Sequence, residues 1–319
     1  MTEHYVTLFD STFLPQGLAL YSSLLEHGDD FLLWILCLDV ECLQTLQRLS
    51  LPQIRLLDLQ NLETADLLAV KPERSRAEYC WTLTPWSIQW VFEADATALR
   101  VTYLDADVFF LNSPIHVFNE FKASGRDVLI TEHCYAPEHD QTPTSGRFCV
   151  QFLSVVRGQG ELVLFWWRDR CLEWCFARSE NGKFGDQKYL ESFSHEFPGL
   201  IYEISSDSRL QGPWNASIFR FSDAVLYHFH GLRLFSMSTA FVCSYPLSWP
   251  LINHVYIPYF RRIYSLISRY SIPLAAQAVS PGFKEIILLK LKKKLVFSIV
   301  GVIRPPFYAY CCDGEVAIW

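Results

Sequence analysis

The run FLLWILCLD, residues 31–39, narrows the fold more than any other feature of the chain. It is apolar from Phe31 to Leu38, with charged residues at both ends. A strand with one wet face alternates apolar and polar residues, and this one does not. It therefore reads as a central strand covered on both faces, the setting of a parallel sheet. Its neighbours agree. HYVTLFD (4–10) has the look of a buried strand, and LALYSSLLEHG that of an amphipathic helix stopped at Gly28. VECLQTLQRLSL predicts a second helix and QIRLLDL (53–59) a third strand. WTLTPWSIQWVFEAD (81–95) carries the helical period and leads into VTYLDADVFFL. DVLITEH (127–133) and FCVQFLSVVR (148–157) are further strands, followed by a long helix, ELVLFWWRDRCLEWCFAR (161–178). This β-α-β-α-β order predicts an α/β fold, Rossmann-like, with a mostly parallel central sheet and flanking helices.

Near residue 244 the character changes to proline-punctuated, aromatic sequence, so the expected division is 1–243 and a helical, partly basic C-terminal extension, 244–319. Between 284 and 304 stand six basic residues and one acidic. Lysines set among Ile and Leu fit an interfacial helix touching anionic lipid, or equally a solvated face on a packing helix.

Composition bounds the function. Half of the 319 residues are apolar and 19% are charged, which is enough to bury a large core and too apolar for disorder. A net charge of -7 argues against a nucleic-acid binder. Ten cysteines are scattered without a CxxC pair, which fits reduced, buried thiols and a cytoplasmic setting. The N-terminus lacks the pattern of a signal peptide, and no run of 18 apolar residues marks a spanning helix.

The chemistry centres on VTYLDADVFF. Asp105 and Asp107 interrupt an apolar strand. An unpaired buried carboxylate costs several kcal/mol. Ligands of open α/β sheets bind beyond the carboxyl ends of strands, and two carboxylates there can share a divalent cation. Surface strand-end caps are the alternative. Two clusters lie downstream. FGDQKYL (184–190) places Asp186 and Gln187 at the start of a short helix, where Asp is also a natural cap. LYHFHGLRLF (226–235) holds His228 and His230, which on a strand would face opposite sides.

A strand-terminal DxD, a later DQ-x-x-L and a late H-x-x-G together resemble glycosyltransferase family eight, over about residues 1 to 240. WTLTP, YLDADVFF, FGDQKYL, PWN and HFHG are similar to a bacterial branch of such proteins. The resemblance implies a GT-A fold and a metal-dependent, retaining transfer of a hexose from a nucleotide diphosphate sugar, UDP-linked. The implied acceptor is a cell-surface glycan or a lipid-linked saccharide. It implies Mn²⁺ or Mg²⁺ on Asp105, Asp107 and His228, with His230 turned away. Asp186 and Gln187 would stand beside the anomeric carbon, and Asp10 at the uracil nucleotide. Asp105 would also reach the donor through the metal. The family's Asn-x-Gly is here Cys149-Val150-Gln151, leaving Gln151 as a donor contact. Leu234 stands where the family has Lys, with Arg233 beside it as a substitute. Trp81 stands where the family has Arg, with Arg74 and Arg76 as substitutes. Trp214 and Asn215 would shape the donor or acceptor pocket, or form a turn followed by a core Trp.

The expectation is thus a cytoplasmic transferase at the inner membrane face, contacting anionic lipid through 284–304. Two alternatives stay open: a haloacid-dehalogenase-type phosphotransferase, whose DxD begins with a nucleophile, and a non-catalytic relative that binds nucleotide sugar.

Overall fold

In the computed structural model, the run 31–37 is the strand second from one edge of a seven-stranded sheet, between the first and third strands of the chain. The structure describes residues 2–235 and 239–274, with three short strands between 302 and 318. Ten strands matter for the site: β1 (Glu3–Phe9), β2 (Phe31–Cys37), β3 (Ile54–Asp58), β4 (Arg100–Leu104), β5 (Val108–Phe110), β6 (Val128–Glu132), β7 (Phe148–Val156), β8 (Ile201–Ile204), β9 (Leu210–Gln211) and β10 (Leu226–His228). The main sheet has the order β3-β2-β1-β4-β7-β6-β8. Only β7 runs against its neighbours, β4 and β6. A three-stranded sheet, β5-β10-β9, stands beside it.

The continuous apolar runs are explained by burial on both faces. Tyr5, Phe9, Leu33 and Ile35 enter one apolar cluster, while Val6, Leu8, Trp34 and Leu36 enter another. Helix α1 (Leu14–His27) contributes to the first cluster, together with the helix Ile257–Tyr270. The helices Arg76–Ala94 and Gln159–Glu173 contribute to the second. Close approach fixes one glycine: a Cβ on Gly17 of α1 would lie 2.3 Å from the Phe9 ring.

Two of the helix boundaries that differ from expectation have a visible reason. The helix expected from residue 81 starts at Arg76, because Ser75 and Glu78 form a capping box. Ser75 N–H donates to Glu78 Oε2 at 2.7 Å and Glu78 N–H to Ser75 Oγ at 3.4 Å. The helix expected to run to residue 178 stops at Glu173. There the Arg74 guanidinium takes the last carbonyls, donating to Cys171 O at 2.8 Å, Leu172 O at 2.7 Å and Cys175 O at 3.3 Å. Free C-terminal carbonyls are the groups a helix must satisfy on ending.

Beyond residue 244, the helix Ile257–Tyr270 buries Tyr259, Phe260, Ile263, Tyr264, Leu266 and Ile267 in the cluster that holds α1 and β10. Strands Val302–Ile303 and Tyr308–Cys312 pair with Leu247–Ser248 and Thr239–Phe241. Among the described residues, no helix is long and apolar enough to cross a membrane. The basic stretch 284–304 lies almost wholly outside the described residues.

Candidate metal centre

Strand β4 ends at Leu104, and the chain turns through Asp105–Asp107 into β5, with Val108 N–H donating to Asp105 O at 3.3 Å. This turn lies at the carboxyl end of the parallel strands. Strand β10 then pairs antiparallel with β5 and sets His228 opposite Val108. Phe229 N–H donates to Asp107 O at 2.8 Å and locks the register. Residues far apart in sequence thus meet through one strand pair.

His228 Nε2 lies 3.0 Å from Asp107 Oδ1 and 3.7 Å from Asp105 Oδ2. One ligating atom from each of the three lies within 4.8 Å of the others. Two carboxylate oxygens and an imidazole nitrogen suit a hard divalent cation such as Mn²⁺ or Mg²⁺. Burial pushes the Asp105 carboxyl up; His228 opposes this and Asp107 adds to it. Burial also opposes ionisation of Asp107, but the charge and hydrogen bond of His228, with Arg233 and His230, hold its carboxyl well below the usual range. Burial disfavours a charged His228, yet Asp107 outweighs it and raises the imidazole well above its ordinary value. Tyr103, two residues before Asp105 on β4, donates its hydroxyl to Asp105 Oδ1 at 3.0 Å.

The other predicted residues fall into three groups. Asp186 is within electrostatic reach of Asp105: burial first, and Asp105's negative charge second, push its carboxyl up to about 7. Its own carbonyl accepts from Trp167 Nε1 at 2.9 Å, and its side chain makes no cap on the turn Gln187–Ser192. Gln187 is tethered beside it, donating Nε2 to Ser145 O at 2.7 Å. Trp81 packs on the backbone between them and Phe184: a Cβ on Gly185 would lie 3.3 Å from its ring.

Asp10 and Arg76 form a second polar group, at the ends of β1 and β2. Arg76 Nη2 lies 2.5 Å from Asp10 Oδ2 and 3.5 Å from Asp39 Oδ2. Asp10 also accepts from Thr12 N–H at 2.8 Å, ahead of α1. Asp39 was not among the predicted residues; its place after the run FLLWILCL, matching that of Asp10 after β1, was the available signal. Arg233 reaches Asp107 electrostatically, with its guanidinium 5.2 Å above the Phe13 ring, while Leu234 is buried.

The third group serves the scaffold. Arg74 is withdrawn into the helix end described above, where its two terminal guanidinium nitrogens donate to Thr82 Oγ1 and to backbone carbonyls rather than to the Asp105–Asp107–His228 cluster. Trp214 and Asn215 are buried, and both donate to His133 O, at 2.7 and 2.9 Å. The Trp214 ring stands edge-on to His228 at 5.4 Å and to His230 at 5.7 Å. His230 therefore does not turn to the opposite side. The strand ends at His228, and a turn at Phe229–Leu232, with Gly231 at φ +82°, brings both imidazoles against one indole. Gln151 is fully buried on β7 and meets His228.

No protein-family model matches the chain. The uncharacterized protein YfnF of Bacillus subtilis (strain 168) is 32% identical over 256 residues, covering 75% of this chain and 84% of that protein. The chain belongs to the YfnF family. The uncharacterized protein YfnD of the same organism is 27% identical over 278 residues, 81% of this chain and 88% of that one. Among solved structures, the galactosyltransferase LgtC in complex with donor and acceptor sugar analogs superposes with a TM-score of 0.52 at 12% identity, covering 88% of this chain and 99% of that chain. The fold is thus the GT-A fold of glycosyltransferases.

Proposed function

We propose that this chain is a metal-dependent, retaining glycosyltransferase of family eight, moving a hexose from a nucleotide diphosphate sugar, UDP-linked, to a cell-surface glycan or lipid-linked saccharide. The observation that carries the reading is the Asp105–Asp107–His228 constellation at the carboxyl end of a GT-A sheet. The GT-A fold also favours this reading over the haloacid-dehalogenase alternative.

Asp105, Asp107 and His228 would hold Mn²⁺ or Mg²⁺, which supplies charge stabilisation to a leaving diphosphate. The chain's own groups account for the rest. Asp10, with Arg76 against it, would bind the nucleoside end of the donor. Arg233 would add positive charge beside the diphosphate. Asp186 and Gln187 would line the face of the sugar where charge develops at the anomeric carbon. With its carboxyl near 7, Asp186 is poised between its neutral and charged forms at physiological pH, and a cation bound at Asp105 favours the charged form. In the transfer, the bond from the anomeric carbon to the diphosphate oxygen breaks and one to the acceptor oxygen forms on the same face. The acceptor's proton leaves on the diphosphate. Positioning and charge stabilisation then carry the rate.

A thermal-shift screen of UDP-, GDP-, CDP- and TDP-sugars with and without Mn²⁺ tests the reading. A ligand at a hundred times its Kd stabilises the folded state by about 2.7 kcal/mol. A UDP-hexose that raises Tm only with Mn²⁺ present is the expected result. No shift with any of the four nucleotides would overturn it.

A further inference from the structure

His228 is the ligand that gives the metal cluster its nitrogen, and an imidazole has two nitrogens to offer. Which one faces the carboxylates depends on what holds the other. In this fold the other is Nδ1, and it lies 2.9 Å from the side-chain oxygen of Gln151. Both side chains are buried, His228 with 5% of its surface exposed and Gln151 with none. Gln151 comes from the middle of β7, a strand of the main sheet, whereas His228 comes from β10 in the smaller sheet. The contact therefore bridges the two sheets beneath the metal cluster. The backbone repeats the bridge, with Asp105 N–H donating to Gln151 O at 3.4 Å. One residue of β7 thus touches two of the three candidate ligands, and the third, Asp107, is fixed by its carbonyl contact to Phe229.

We propose that Gln151 is the positioning residue of this centre: its amide oxygen accepts the Nδ1 proton of His228 and so presents Nε2 to Asp105, Asp107 and the cation between them. The inference rests on the metal-dependent reading given above.

The alternative orientations of the ring are closed off by named groups. Turning the imidazole over would set a ring carbon against Gln151 Oε1 and leave a buried acceptor unmet, which costs about 1–3 kcal/mol. Swinging it away is blocked by Trp214, whose ring lies at 89° to the imidazole and whose Nε1 is anchored on His133 O. The choice of a neutral amide has a chemical consequence. A carboxylate at this position would add a third buried negative charge to a pair already in repulsion. The amide orients the imidazole and leaves its charge unchanged. Outer groups of this kind typically change metal affinity by about 10–100-fold when removed.

Mn²⁺ alone is the probe, applied to the full chain. In wild type, titration followed by the EPR signal of free Mn²⁺ should give saturable binding. Gln151→Met keeps the volume and removes the acceptor; it should weaken Mn²⁺ binding by about 10–100-fold, with the metal-free Tm close to wild type. A readout independent of any variant comes from long-range ¹H–¹⁵N spectra of the Mg²⁺-loaded wild type, which should show the His228 proton on Nδ1. Equal Mn²⁺ affinity in Gln151→Met and wild type overturns the proposal, as does a proton found on Nε2. Absence of Mn²⁺ binding in wild type is a different outcome: it removes the metal-dependent reading itself.

Discussion

Two places along the carboxyl edge of the sheet set a pair of carboxylates against one cationic side chain. At the ends of β1 and β2, Asp10 and Asp39 share Arg76; past the end of β4, Asp105 and Asp107 share His228. The arrangements look alike, and the difference lies in the base. Arginine keeps its proton at any working pH, so the first cluster is a fixed ion pair on an exposed side chain, 62% of which is accessible. Histidine can surrender its proton, so the second cluster can trade that proton for a metal ion. Burial sharpens the contrast, for the His228 side chain is only 6% exposed. The first cluster is suited to recognising a ligand and the second to holding a cation.

Breaking the second cluster should have the largest effect. Asp107→Ala removes the carboxylate closest to His228 Nε2. Turnover of donor with Mn²⁺ should fall by about 10²–10³-fold or more, as when a centre of transition-state charge stabilisation is lost. Donor turnover that survives in this variant in metal-free buffer would show that the cluster is a structural ion pair like its neighbour.

The pH dependence sharpens the same comparison. In the metal-free protein the His228 pKa is raised well above 6.5, chiefly because Asp107 overcomes the effect of burial. Metal must displace that proton. Apparent Mn²⁺ affinity should therefore rise by about tenfold per pH unit while His228 remains protonated, and level off once pH exceeds its raised pKa. The sign for stability runs the other way. A raised histidine pKa contributes stability that is complete below the unfolded value near 6.5 and is lost as pH rises through the folded value. Metal-free protein should thus lose stability over the range in which metal binding strengthens. Titrations of Mn²⁺ and Tm at several pH values check both slopes; a flat affinity profile would mean that no proton is exchanged.

Arg74 and Arg76 show how much of this was legible in the sequence. Both were candidates for the donor site, two residues apart and equal in charge. What separates them is tertiary: Ser75 caps the helix, Arg76 enters it toward Asp10, and Arg74 turns back to the end of another helix nearly a hundred residues later. No local pattern encodes that. The strands, by contrast, were readable because runs such as FLLWILCLD meet the sheet's own requirement of two buried faces. VTYLDADVFF was readable for the same reason, since charges inside such a run demand a partner. The partner's geometry was less so. Strand alternation places His230 on the far side, but the strand stops before it. The role of Gln151 needed the β7–β10 proximity that only the folded chain provides. Replacing Arg74 by Met should accordingly read as a stability change. Several buried carbonyls lose a charged donor, so about 2–3 kcal/mol should be lost in chemical unfolding, with the KM for donor unchanged.

Arg76→Met should give the smallest change and the most discriminating one. Its guanidinium is exposed, and exposed ion pairs contribute at most about 1 kcal/mol to stability. Asp10 keeps its hydrogen bonds from Thr12 and Phe13, and Asp39 keeps those from Ser11 and Cys42, so neither carboxylate is stranded. Tm should therefore hardly move. If the first cluster recognises the donor, KM for the nucleotide sugar should rise by about tenfold, equivalent to about 1.4 kcal/mol of binding, while Mn²⁺ affinity stays as in wild type. A shift in Mn²⁺ affinity of the same size would show that the two clusters are one electrostatic unit, and the division between a recognising pair and a metal-holding pair would have to be abandoned.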